Sequence, residues 1–336
     1  MTRTSKTAPA LIVLGLAVGF AACGDSNDGA SGGGASSTKL SLVAYSTPKE
    51  AYEEIIPAFA KTPAGAGTSF TQSYGNSGDQ ARAVIAGLPT DIAALSLEPD
   101  ITKLVTEQLV APDWNATPTK GIVTRSVVAL AVRPGNPQSI KGWADLIKPG
   151  IEVLTPNPFT SGGARWNVMA AYGAQIEQGK TEAQAIDYLE QLFKNVVVQD
   201  KSAREALQSF TGGKGDVLIS YENEAITAQQ KREKLDYVVP EETILIENPI
   251  AATAKVSAKA KAFIDYATSE PAQKVFAAKG YRSVIAALVD KKTYPDPPKQ
   301  FDITKFGGWD AVMTKFFDPE DSVMQRVEKS LGVSTG

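Results

Sequence analysis

The 336-residue sequence contains no histidine and a single cysteine, Cys23. Without histidine there is no imidazole to activate a nucleophile, bind a metal or carry a proton. That counts heavily against a hydrolase, and no catalytic residue is expected. A lone cysteine leaves no internal disulfide, although an exported chain could hold one. Positive charge is not in excess: 34 Lys and Arg stand against 37 Asp and Glu, a formal net charge of −3. No basic stripe stands out, so no nucleic-acid partner is expected. Thr211-Gly-Gly-Lys-Gly-Asp216 comes nearest to a phosphate loop, but it lacks the full spacing and a Ser or Thr after Lys214. Glu222 and Glu224 flank Asn223 after a strand and are read as solvated or structural carboxylates. Neither a metal nor a cofactor is expected.

Long apolar runs are scarce too. Leu11 to Phe20 follows Arg3 and Lys6 and is too short to span a bilayer as a normal helix. It runs into Phe20-Ala21-Ala22-Cys23, which resembles a lipoprotein export signal. Residues 1–22 are therefore expected to be a signal peptide, with Cys23 lipidated and holding the protein at the membrane on its extracytoplasmic face. Residues 23–38 are rich in Gly, Ser, Asp and Asn and read as a flexible tether.

From Lys39 onward, strand-length apolar runs alternate with helical periodicity. Examples are Lys39 to Tyr45, Thr68 to Ser73, Asp91 to Leu95, Ser126 to Arg133 and Asp216 to Ser220. Alternation with short connections predicts α/β layers around a parallel sheet. Pro57 is expected to kink or end the helix over Lys49 to Lys61. Trp166, Met169 and Tyr172, at helical spacing, are read as core.

Asn157-Pro-Phe-Thr-Ser-Gly-Gly-Ala-Arg-Trp-Asn167 carries the most information. A hydroxyl and two glycines stand just before a helix start, where unpaired N–H groups and the positive end of the helix dipole favour an anion. Ser161 can add an O–H, while Gly162 and Gly163 let the backbone come close to a ligand. No lysine lies in the segment, so the anion would be held by neutral donors. Three other turns repeat this chemistry: Tyr45-Ser46-Thr47, Gly75-Asn76-Ser77-Gly78 and Ser202-Ala203-Arg204. Each follows a predicted strand and opens a predicted helix, the place where open α/β sheets bind ligands.

Pro156 to Asn167, together with Ser73 to Gln80, Gly215 to Ser220 and Phe306-Gly-Gly-Trp309, closely resembles the periplasmic sulfate- and thiosulfate-binding proteins of ABC importers. Val132-Arg133-X-Gly-Asn-Pro137 and Trp143-X-Asp-Leu146 support the resemblance, which covers nearly the whole chain after the tether. It implies a two-domain, hinge-linked periplasmic-binding-protein fold of type II, with the ligand in the cleft. Domain I would comprise 39–123 plus 246–336 and domain II 124–245. It also implies a monomeric receptor that captures sulfate and delivers it to a membrane permease. Carried over by matched position, the ligand contacts would be the amides of Ser46, Ser77, Gly162, Gly163 and Ala203, the hydroxyl of Ser161, and Tyr221. Arg165 and Arg204 would support these loops from behind. Tyr221 departs from the pattern, because sulfate-binding members carry Trp there. Thiosulfate, or another tetrahedral oxyanion such as molybdate, stays open as the ligand. A sulfuryl- or phosphoryl-transfer enzyme on the same loops is the rival of another class, disfavoured by the missing nucleophile–base pair.

Overall fold

The structure, a computed structural model, describes residues 38–333 apart from 256. The expected signal peptide, Cys23 and all of the tether but Thr38 lie outside the described residues. Among the described residues no helix is long and apolar enough to cross a membrane.

Strands β1 (Thr38–Tyr45), β2 (Thr68–Gly75) and β3 (Ile92–Ala94) lead into helices α1 (Lys49–Ala60), α2 (Ser77–Ile85) and α3 (Glu98–Thr106). A long strand, β4 (Ile122–Val132), then opens a second set: β5 (Val153–Pro156), α4 (Gly162–Glu177), α5 (Glu182–Lys194), β6 (Val196–Asp200) and α6 (Ala203–Thr211). This set ends with β7 (Val217–Tyr221), α7 (Glu222–Gln230) and β8 (Asp236–Val238). A second long strand, β9 (Glu242–Ala252), precedes α8 (Ala258–Ala267), α9 (Glu270–Ala278), β10 (Lys299–Phe301), α10 (Gly308–Phe317) and α11 (Val323–Ser330).

Hydrogen-bonded neighbours run in the order β2-β1-β3-β9-β4-β7-β5-β6. β1 pairs in parallel with β2 and β3, as does β5 with β6 and β7. The pairs β3–β9, β4–β9 and β4–β7 are antiparallel. The sheet is thus mixed, where alternation alone predicts a parallel one. The reason lies in the two long strands. β4 pairs with β9 through Ile122–Val127 and with β7 through Val128–Val132, while β9 goes on to pair with β3. A chain that returns beside its own outgoing strand must run against it.

Each half of the sheet is covered on both faces. Leu40, Leu42 and Ala44 of β1 pack on Tyr52, Ile55 and Phe59 of α1 and on Phe263 and Phe276. Val43, on the other face, meets Ala81 and Val84 of α2 and Ile101 and Leu104 of α3. Burial on both faces is why such a strand reads as nearly continuous apolar sequence. In the other half, α6 and α7 cover one face and α4 and α5 the other. There Trp166, Met169 and Tyr172 are buried, with Trp166 edge-on to Trp309 of α10 at 4.6 Å between ring centroids. Val323, Met324 and Val327 of α11 join the same core. The helix α1 runs through Pro57 to Ala60 instead of ending at the proline. Pro57 and Glu53, whose carbonyl loses its partner, both face solvent, so water can satisfy that carbonyl.

Candidate anion-binding site

The carboxyl ends of β1, β2, β3, β5, β6 and β7 converge on one small cavity. Asn76 caps α2, its Oδ1 accepting from the Asp79 N–H at 2.7 Å. Ser202 caps α6 by accepting from the Glu205 N–H at 3.2 Å. Ser161 caps α4 more loosely, its Oγ accepting from the Ala164 N–H at 3.4 Å. These caps set three helix N-termini toward the same space, each carrying unpaired N–H groups and a partial positive charge.

The cavity is about 220 Å³, counted to the surrounding atoms and including its mouth. Of the residues matched from sequence, Ser46, Ser77, Ser161, Gly163, Ala203 and Tyr221 line it. Gly162 lies just behind, with its Cα against Leu97 and Ser96; a Cβ there would come within 2.4 Å of Leu97 Cδ2. Gly163 faces inward: a Cβ on it would lie 3.4 Å from Ser161 Oγ and 3.7 Å from the Tyr221 hydroxyl. Among the described residues, no charged side chain lines the cavity.

The hydroxyls have different duties. Ser77 Oγ donates to Asp100 Oδ2 at 2.7 Å and accepts the Ser96 N–H at 2.9 Å, so only its backbone is free. Ser161 keeps its own proton unengaged, and Thr47 Oγ1 and the Tyr45 hydroxyl are buried without partners. The Tyr221 hydroxyl sits 2.9 Å from Ser96 Oγ. Burial raises the Tyr221 pKa well above the ordinary phenol value, so it stays neutral.

Arginines stand behind the cavity walls. Arg165 is buried, donates from Nε to the Pro158 carbonyl at 2.9 Å, and lies 3.9 Å from Asp100. Burial raises the Asp100 pKa, but Lys103, Arg165 and the Ser77 hydroxyl outweigh it and hold the carboxyl below its usual range. One ionised carboxylate therefore ties α2, α3 and α4 together. Arg204 of α6 reaches Glu50 of α1 with bonds of 2.6 and 2.8 Å, and Lys231 adds a further contact to Glu50. This tie joins the two halves beside the cavity. Glu224, which could have suggested acid–base work, lies 3.6 Å from Arg204, and Glu222 is paired with Arg282 at 2.9 Å. Neither lines the cavity.

The Glu50 tie has a pH signature. Burial raises its pKa, but the Arg204 and Lys231 hydrogen bonds lower it from 4.5 to about 2. A depressed carboxylate contributes stability above its unfolded pKa and loses it as pH falls through the folded value. Melting of the native chain is thus expected to weaken between 4.5 and about 2, and Glu50→Gln to flatten that part of the profile. Identical profiles for the two proteins would exclude Glu50 as the titrating group.

Sequence reading missed Ser96, Asp100 and α3. A signal was present: Glu98-Pro99 after Leu97 has the proline and acidic residue of a helix start.

The sheet and its helix-capped cavity define a ligand-binding class, and the chain belongs to the bacterial extracellular solute-binding proteins, matching that family over residues 40–282. It is 42% identical to the sulfate-binding protein of Synechococcus elongatus over 94% of each chain. The sulfate-binding protein SubI from Mycobacterium tuberculosis superposes with a TM-score of 0.81 at 42% identity, covering 84% of this chain and 100% of that one. A more distant relative, the thiosulfate-binding protein of Pseudomonas aeruginosa, is 34% identical over 82% of this chain and 88% of its own. The fold is the mixed α/β, two-domain type II fold of periplasmic binding proteins.

Proposed function

We propose that this protein is an extracytoplasmic receptor that captures sulfate in the cavity, without chemical change, and delivers it to an ABC importer in the membrane. The observation that carries the reading is a small cavity built from neutral donors at three helix N-termini, with Arg165 and Arg204 paired to Asp100 and Glu50 outside it. Sulfate at neutral pH is a dianion with no proton to give, and such a wall satisfies its oxygens. Contacts from the six matched residues that line the cavity, at about 1.5–3 kcal/mol per charge-assisted bond, exceed the roughly 8 kcal/mol of micromolar binding. Stripping the ion of water and closing the cleft absorb the surplus. The names of the sulfate-binding relatives support the same ligand.

In this reading the domains close by bending at β4 and β9. Residues 38–123 and 246–298 form one lobe, and 124–245 the other. The packing of α10 and α11 on the α4–α5 core favours adding the C-terminal helices to the second lobe, so three segments cross. Lipidation at Cys23 would keep a monomeric receptor near its permease.

Titration calorimetry tests the site. Ser161→Ala removes the one hydroxyl on the α4 wall and should weaken sulfate by roughly 10–100-fold, the worth of a hydrogen bond to a charged group. Unchanged affinity would place sulfate elsewhere. Thiosulfate is the second reading, supported by the relative of that name; competition between the two anions on the pure protein decides it.

A further inference from the structure

The helix starts around the cavity are not held alike. Asn76, Ser161 and Ser202 cap α2, α4 and α6 with their own side chains. At α7 the capping position is Tyr221, and no side-chain cap closes that helix. Its ring instead lines the cavity, where its hydroxyl meets Ser96 Oγ at 2.9 Å and the Asn248 side chain. The turn that carries Tyr221 must therefore be secured by a neighbour. That neighbour is Glu222, the first residue of α7. Its carboxylate takes a fork from Arg282, with Nε donating to Oε2 at 2.9 Å and Nη2 to Oε1 at 3.2 Å. Both residues are buried. Ser126 Oγ accepts the Asn223 N–H as well, but only at 3.5 Å.

Arg282 is itself fixed. Its N–H donates to the Arg125 carbonyl at 2.8 Å, and its carbonyl accepts the Arg125 N–H at 3.1 Å. Nη2 also donates to the Pro295 carbonyl at 3.1 Å, and Asp296 stands 3.6 Å from Nη1. The Arg125 side chain is spent on Glu247 at 2.9 Å, and among the described residues no cation other than Arg282 pairs with Glu222. Arg125 lies on β4 opposite Glu247 of β9, the two strands at which the lobes are read as bending. Arg282 belongs to the lobe of α9 and Glu222 to the other, so the fork joins them where they bend. Distances at a hinge change least when the halves swing. The fork can therefore hold in open and closed forms alike.

We propose that Arg282 is a positioning residue for ligand capture. Through Glu222 it fixes, from the opposite lobe, the turn that carries Tyr221, so this wall of the cavity stands ready before the anion arrives. The inference rests on the receptor reading above, with Tyr221 as one of the contacts. A buried ion pair is seldom a net gain in stability over apolar side chains of the same size, so stability alone is a poor account of this one. A wall set in advance leaves less ordering for the ligand to drive. A site that is ready only part of the time binds more weakly by that fraction.

The test is calorimetry with sulfate on a double-mutant cycle of the full chain: native, Arg282→Lys, Tyr221→Phe and the two together. Thermal melting checks that each is folded. Arg282→Lys keeps the charge but not the fork. It should weaken sulfate by roughly 5–30-fold, the factor by which the ready fraction falls. With Tyr221→Phe in place the same change should cost less than about 2-fold, because no hydroxyl remains to be placed. A general loosening of the fold would cost the same in both backgrounds, and that result overturns the proposal. Unchanged affinity in Arg282→Lys, or in Tyr221→Phe, overturns it too and leaves the receptor reading intact. Glu222→Gln keeps the side chain's shape without its charge. It runs through the same cycle and decides the matter if the lysine variant does not melt as a folded protein. A native protein that binds no sulfate removes the receptor reading beneath the inference.

Discussion

Gly163→Ala is expected to lower sulfate affinity by roughly 10²–10⁴-fold, the equivalent of two lost charge-assisted bonds, while leaving the ligand-free protein folded. The added methyl would meet Ser161 Oγ at 3.4 Å, Ala203 Cβ at 3.6 Å and the Tyr221 hydroxyl at 3.7 Å, all ordinary van der Waals separations. Gly163 lies in the first turn of α4 and is not among the glycines with positive φ, so alanine fits the backbone and favours the helix. The whole effect therefore falls on the ligand, whose oxygen would compete with the methyl for one position. Calorimetry measures the affinity and thermal melting of the ligand-free form checks the fold. Unchanged affinity together with an unchanged melt would mean that the cavity is not the binding site.

Arg165→Met should cost about 2–4 kcal/mol of stability, read as a fall of roughly 5–15 °C in melting temperature. A cation in the first turn of a helix opposes the dipole, so Arg165 needs other partners to be tolerated. It has them: the Pro158 carbonyl, the Asp100 carboxylate at 3.9 Å and the Phe317 ring at 5.6 Å. Methionine fills similar space but strands the Pro158 carbonyl and leaves Lys103 as the one cation against Asp100. Because Asp100 also holds Ser77, sulfate binding should weaken along with the melt. Arg165→Lys retains charge without the fork and should fall between. A methionine variant as stable as the native chain would reduce Arg165 to a bystander.

Much of the architecture was legible because its signals are local. The strand Thr38–Tyr45 and helices such as Glu182–Lys194 follow from apolar periodicity and a capping box at Thr181. The turns at Ser77, Ser161 and Ala203 were legible for the same reason, since a cap, a small residue and the following helix lie within a few positions; at Ser46 the signal was Pro48 before the helix. Other parts were not. The helices Glu98–Thr106 and Glu222–Gln230 were passed over: the first has no side-chain cap, and the second is buried through most of its length and so lacks an amphipathic stripe. The parallel sheet expected from alternation became mixed because β4 and β9 pair antiparallel far apart in sequence, Ile122 with Pro249 and Val127 with Leu245.

By itself the sequence determined the chemistry of each wall: neutral donors, glycines without a Cβ, helix starts, and no imidazole anywhere. Those are properties of neighbouring residues and need no tertiary context. Only the folded chain decided which groups remain free. Ser77, a hydroxyl in sequence, is spent on Asp100 and serves through its backbone. Arg204 is held by Glu50, 154 residues away, and so stays out of the cavity. Ser96, unremarkable in sequence, meets Tyr221 across 125 residues. The physical reason is that a donor becomes available to a ligand only when nothing else in the fold has claimed it, and such claims come from contacts far apart along the chain.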